Sequence, residues 1–340
     1  MRVAYLAPES GIAGGQRVIF QQAEGLARRG LSVAIVAPAP APDWFPLRRA
    51  RWEHADFARS RELPAADVRV ATFWTTVAPA LRGARGPVFH LCQGYEADHS
   101  FNAAQHDAIR AAYAQPTRKL AITPFLAERL DREGFGPAAF IGQAFDAEEF
   151  PPPPARRFDA AAPVVLVVGP FEADVKGVRE ALEALADLRA RGVPFRLRRV
   201  SATPPPEEET AFGLSERYDV RLPPREMAAA YREADLLIGP CHPEEGFGLP
   251  VLEALSSGLP VLLSDTPVHR LVARAAASYF PTGDARALAA ALEALLPDPA
   301  RRRALSEAAP AEARRFRTED VVERLLEEFG RSSGLAEESA

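Results

Sequence analysis

The chain has 340 residues, enough for two domains of ordinary size that each bury a core of their own. Hydrophobic residues make up 47% and charged residues 26%, a globular balance that excludes a disordered or fibrous chain. A net charge of -5 argues against a nucleic-acid binder, no apolar run reaches the length of a spanning helix, and the two widely separated cysteines, Cys92 and Cys241, exclude a disulfide framework.

The first elements are those of an α/β domain. Val3-Ala-Tyr-Leu-Ala7 is a short, wholly apolar run suited to a central parallel strand. After the loop Pro8-Glu-Ser-Gly-Ile-Ala-Gly-Gly15, residues 16–29 carry Val18, Ile19, Gln22, Ala23 and Leu26 at helical spacing. Gly30 ends that helix and 32–37 reads as the next strand, so the opening is a βαβ unit with its right-handed crossover. Strands at 68–72, 88–92 and 119–123 follow, with helical patterns at 103–113 and 125–133. This is the order of a doubly wound domain. The N-terminus lacks the charged-then-apolar layout of a secretion signal, which, with the cysteine usage, predicts a cytoplasmic protein.

Several residues of this half are candidates for function. Gly14 and Gly15 stand at the first strand-to-helix turn, where a need for positive φ explains only one of them easily. The dinucleotide fingerprint G-x-G-x-x-G is absent. In His90-Leu-Cys-Gln-Gly-Tyr-Glu96, His90 falls inside the strand pattern and reads as a satisfied core residue, whereas Gln93 and Glu96 fall in the loop beyond it. The segment Trp44-Phe-Pro-Leu-Arg-Arg-Ala-Arg-Trp52 mixes aromatics and cations. It suits a lipid-linked acceptor or weak association with an anionic membrane, but in a near-neutral domain it reads more readily as a solvated loop.

Pro151-Pro-Pro-Pro154 predicts a stiff, extended linker between domains. The α/β pattern then restarts, with strands at 164–168, 195–200, 234–239 and 260–264 and helices at 177–191, 227–233, 250–257, 284–296 and 298–316. An amphipathic helix at 318–329 has Val321, Val322, Leu325, Leu326 and Phe329 on one face. The polar, acidic tail at 330–340 is predicted to be disordered. The most informative run is Glu245-Gly-Phe-Gly-Leu-Pro-Val-Leu-Glu253, between a strand and a helix that has Pro250 in its first turn and Gly258 beyond its end. A strand, a glycine loop and a helix N-terminus present N–H groups and a positive dipole end to an anion. Gly246 and Gly248 allow close backbone approach, and Glu245 and Glu253 are placed to accept hydrogen bonds from hydroxyls. An anion site flanked by two such carboxylates suits a nucleotide sugar.

That run resembles the E-x7-E motif of the retaining glycosyltransferases of family 4. The resemblance is specific over 164–265 and extends more weakly over the rest of the chain. It implies a GT-B fold, two doubly wound Rossmann-like domains facing each other across a cleft. Residues 1–150 would form the acceptor-side domain, with the helix at 318–329 returning to pack on it, and 155–316 the domain that binds the nucleotide sugar. The implied activity is metal-independent transfer of a sugar from a nucleotide-diphosphate sugar to a hydroxyl of a glycan, a lipid-linked molecule or a small molecule, with no cofactor and no nucleic acid involved. Lys176, in Gly169-Pro-Phe-Glu-Ala-Asp-Val-Lys-Gly177, would stabilise the departing diphosphate together with the N–H groups around Phe247, Gly248 and Leu249. It is one of only two lysines in a chain that otherwise uses arginine, and a cation at a helix start is disfavoured unless an anion lies there. Glu245 would bind the donor sugar and Glu253 the ribose diol. Gly14 and Gly15 would face the phosphates and acceptor, and Gln93 and Glu96 the acceptor or sugar. Many members carry an arginine where this chain has Pro170 or Phe171, a phosphate contact for which Arg225 is the candidate replacement. Two rivals stay open: a non-catalytic GT-B subunit bound to a catalytic partner, and an epimerase or phosphorylase on the same fold.

Overall fold

The computed structural model describes residues 1–58 and 63–333. They form two compact units, one of Met1–Asp146 joined by the segment from Phe316 onward, the other of Ala147–Arg315.

The first unit contains strands β1 (Arg2–Leu6), β2 (Ser32–Ala37), β3 (Arg51–His54), β4 (Val68–Ala71), β5 (Val88–Cys92), β6 (Arg118–Ala121) and β7 (Ala138–Phe140). They lie in the order β3-β2-β1-β4-β5-β6-β7, and each pairing is parallel. Helices α1 (Gly14–Arg28), α2 (Trp74–Leu81), α3 (His106–Tyr113) and α4 (Pro124–Arg132) connect them. β1 is buried along Val3, Ala4, Tyr5 and Leu6, as a strand covered on both faces must be. In α4, Thr123 caps the helix by accepting from the Leu126 N–H at 3.1 Å, and Pro124 needs no hydrogen bond in the first turn.

The second unit repeats the plan. Strands β8 (Val164–Val168), β9 (Arg196–Ser201), β10 (Ser215–Val220), β11 (Leu236–Gly239), β12 (Val261–Ser264) and β13 (Ser278–Phe280) form a parallel sheet in the order β10-β9-β8-β11-β12-β13. Its helices are α5 (Val178–Ala190), α6 (Glu207–Thr210), α7 (Pro224–Glu233), α8 (Leu249–Ser256), α9 (Pro267–Ala273), α10 (Ala285–Leu295) and α11 (Pro299–Ala313). One face of the sheet packs Val165, Val167, Leu197 and Ile238 against Leu182, Leu185 and Leu188 of α5 and Leu288 and Leu292 of α10.

The last helix, α12 (Thr318–Ser333), belongs to the first unit. Gly25 of α1 makes room for it, since a Cβ there would sit 2.5 Å from Val322 Cγ2, and Phe329 stacks on Phe89 of β5 at 5.0 Å. The helix continues through Ser333, so residues 330–333 are not the disordered tail that composition predicts. Residues 334–340 lie outside the described residues.

Two further expectations are corrected. The division falls after Asp146, so the Pro151–154 run is part of the second unit rather than a linker. The reason is packing: Ser256 Oγ of α8 donates to the Ala147 carbonyl at 3.0 Å, and buried Phe150 stacks on Tyr231 of α7 at 5.9 Å. The Trp44–Trp52 segment is no solvated loop. Trp44, Phe45 and Trp52 gather on buried Phe20, and one oxygen of Glu24 accepts the backbone N–H groups of Arg48, Arg49 and Ala50 at 2.8 to 2.9 Å.

Candidate active site

In a sheet ordered 3-2-1-4-5-6, the chain leaves the first and fourth strands in opposite directions, and a crevice opens beyond their carboxyl ends. In the second unit these strands are β8 and β11. Their loops are 169–177 and 240–248, which hold Lys176 and the glutamate–glycine run. The topology alone therefore makes neighbours of residues about seventy apart in sequence.

The two loops are locked together by backbone. The His242 N–H donates to the Val175 carbonyl at 2.9 Å. Gly177 has φ +60°, and a Cβ there would fall 2.1 Å from the Pro240 carbonyl oxygen, so no other residue fits. Gly169, at φ +133°, lets the aliphatic stem of Lys176 pass 3.3 Å from where its Cβ would be. Lys176 then reaches Glu245, its Nζ donating to Oε1 at 2.7 Å. The pair is mostly shielded, with 25% of the lysine and 11% of the glutamate side chain exposed. Burial, the largest single effect, pulls the ammonium pKa down, but the Glu245 carboxylate and Cys241 together outweigh it and leave it above the ordinary lysine value. Burial pushes the neighbouring Cys241 thiol up to about 12, so it is no nucleophile near neutral pH.

Gly248, at φ +76°, is the N-cap of α8 and supplies no side-chain cap. Leu249 and Pro250 open the helix, and its first turn contains no acidic residue. Phe247, beside the glycine, is buried and anchors the loop. Glu253 lies in the second turn, 6% exposed, and accepts a hydrogen bond from Tyr231 Oη at 2.7 Å. It is therefore not the solvated first-turn glutamate that would merely complement a dipole.

In the first unit, Gly14 and Gly15 are the first two residues of α1 rather than a turn before it, and Ala13 is the N-cap. What Gly15 makes room for is a side chain. A Cβ there would lie 3.3 Å from Gln93 Nε2, which donates to the Gly15 carbonyl at 3.2 Å. Glu96 is turned to Tyr113, whose hydroxyl contacts both Glu96 Oε2 and, at 3.0 Å, the Gly94 carbonyl. Burial raises the Glu96 carboxyl to about 7 against a weaker opposing effect of Tyr113. His90 is fully buried as its strand position predicts, but it is not satisfied. Neither ring nitrogen has a hydrogen-bond partner among the described residues, and burial takes its pKa down to about 3.

The structure thus brings together Lys176, Glu245 and the Gly246–Leu249 amides, and separately Gly15 with Gln93. Arg225, a suggested replacement for the missing arginine, is exposed in the first turn of α7. Phe171, one of the two residues at the arginine's place, is buried in the core under the Arg179 guanidinium, 4.6 Å from its ring centroid. Three residues near the site escape sequence reasoning. Tyr231 holds Glu253. His242 pairs with Glu180 at 2.8 Å. His269 sits within electrostatic reach of Lys176 and Glu245. The available signal for His269 is Thr266-Pro267, which caps and opens a short helix after a strand.

The fold is that of the GT-B proteins. Residues 162–298 match the model of the family described as glycosyl transferases group 1. The chain is 27% identical over 328 residues to a phosphatidyl-myo-inositol mannosyltransferase of Mycobacterium leprae (strain TN), covering 87% of each chain. Among solved structures it is similar to the sucrose-phosphate synthase of Thermosynechococcus elongatus, with TM-score 0.77 and 17% identity over 97% of this chain and 98% of that one. It is also similar to Anabaena Alr3699/HepE in complex with UDP and glucose, with TM-score 0.76 and 16% identity over 97% and 100%. No helix among the described residues is long and apolar enough to cross a membrane.

Proposed function

We propose that the protein is a retaining, metal-independent glycosyltransferase that takes its sugar from a nucleotide-diphosphate donor bound at the carboxyl ends of β8 and β11. The observation that carries this reading is the meeting of Lys176, Glu245 and the N-terminus of α8 at the sheet's switch point. Departure of the nucleotide diphosphate concentrates negative charge on the oxygen that leaves the sugar. A fixed ammonium and helix amides in a shielded site stabilise that charge without reorganising. The resting pair gives each partner a role: the diphosphate takes over the Lys176 ammonium, and hydroxyls of the sugar take over the Glu245 carboxylate. Glu253, steadied by Tyr231, binds the ribose diol. The acceptor oxygen attacks from the face that the diphosphate leaves, the C–O bond to the diphosphate breaks, and the acceptor proton passes to the departing phosphate oxygen. The relative's name and the UDP and glucose in the HepE complex favour a hexose donor and an acceptor of the glycolipid or glycan class.

A thermal-shift screen against UDP, GDP, dTDP and ADP, then their sugars, tests the reading. One nucleotide present at about a hundred times its Kd should stabilise the protein by roughly 2.7 kcal/mol. Absence of any shift would remove the donor site.

A further inference from the structure

His269 stands in the first turn of α9 and is completely buried. Its Nδ1 lies 2.9 Å from the Ser264 carbonyl oxygen and 3.2 Å from Ser264 Oγ. A carbonyl only accepts, so Nδ1 carries the proton and Nε2 of the neutral ring presents a lone pair. That Nε2 is buried and meets no hydrogen-bond donor among the described residues. A buried acceptor left this way is costly, and such groups in native proteins call for a ligand, a water or a functional reason.

The space beside Nε2 supplies the reason. A Cβ built on Gly248 would lie 3.6 Å from His269 Nε2, with Val251 Cγ2 at 3.8 Å and His269 Cδ2 at 3.9 Å as its next neighbours. Gly248 therefore leaves room for one further atom between the N-terminus of α8 and the histidine ring. Of the charged groups facing the ring, Glu245 raises its pKa and Lys176 lowers it. Burial outweighs both these and the Ser264 hydrogen bond, so the ring stays below the ordinary histidine value and neutral.

We infer that His269 Nε2 accepts a hydrogen bond from a hydroxyl of the donor sugar and so selects the donor by its sugar rather than by its nucleotide. A phosphate oxygen has no proton to give to that lone pair. The diphosphate is accordingly directed to Lys176 and the α8 amides, and a hydroxyl to His269. This inference rests on the donor site proposed above and adds to it a residue that separates the sugar nucleotide from the free nucleotide.

The test is calorimetric titration of the full chain and of His269→Phe, which keeps an aromatic ring but removes the lone pair. The probes are whichever of UDP or GDP binds, and the matching UDP-glucose or GDP-mannose. The expected result is about tenfold weaker binding of the sugar nucleotide to the variant and free-nucleotide affinity unchanged within about twofold. Equal loss of both, or loss of neither, overturns the inference while leaving the donor site intact. Failure of the parent protein to bind any nucleotide overturns both readings. If His269→Phe does not fold, ring 15N spectra of the parent protein decide. A shift at one neutral Nε2 with the sugar nucleotide but not the free nucleotide supports the assignment. Protonation of that ring by either ligand, or no change with either, refutes it.

Discussion

At the scale of the residue, the candidate site is a set of buried polar groups whose partners are identifiable. Tyr231 Oη is a partner that Glu253 needs in order to remain buried. Tyr231→Phe keeps the ring against Phe150 and removes the hydrogen bond to Glu253, so it should destabilise the protein by about 1–2 kcal/mol in chemical denaturation and weaken nucleotide binding. Glu96 gives a pH-dependent effect. Its folded-state pKa is raised from 4.5 to about 7, so the folded protein holds this proton more tightly than the unfolded chain. The stability so contributed is present below pH 4.5, declines as pH rises towards 7, and is gone above it. Comparison of denaturation midpoints for the parent and Glu96→Gln between pH 5 and 8 should show the decline in the parent and its loss in the variant.

At the scale of the element, the loops after β8 and β11 work as one piece. Gly177→Ala places a methyl group against the Pro240 carbonyl at a positive φ. It should cost about 1–3 kcal/mol of stability. Because it also parts Lys176 from Glu245, it should lower turnover more than a distant substitution of equal cost, which a comparison of kcat at matched stability would show. The same scale explains what could be read from sequence. Nine central strands are anticipated, most of them from short apolar runs, because a central strand is covered on both faces. The strands that sequence reasoning does not announce are β3, β7, β10 and β13, which are the edges of the two sheets. Arg51-Trp-Glu-His54 and Ser215-Glu-Arg-Tyr-Asp-Val220 are polar because an edge meets solvent on one side. Helix α9 is only seven residues long, and with it His269 escapes notice. Lys176 and Glu245 stand out because their residue types are unusual in their local setting. Tyr231 and His269 do not, because a buried tyrosine or histidine looks like core until its polar atoms are traced.

At the scale of the molecule, the two units differ in continuity. The second is one uninterrupted stretch, Ala147–Arg315, with its own core and both candidate loops. Expressed alone, residues 147–315 should fold cooperatively and keep nucleotide binding, measurable by thermal shift. The first unit takes α12 from the far end of the chain, and residues 1–146 alone would uncover Gly25, Phe89 and the rest of the face that α12 covers. That fragment should aggregate. The central claim is that Lys176 and the start of α8 hold the diphosphate of a nucleotide sugar. Calorimetric titration of the parent and Lys176→Ala with the nucleotide diphosphate found by screening tests it most directly. One molecule should bind per parent chain, and the variant should bind at least about tenfold more weakly, the loss of one charge-assisted contact. Equal affinity in the two proteins would contradict the claim.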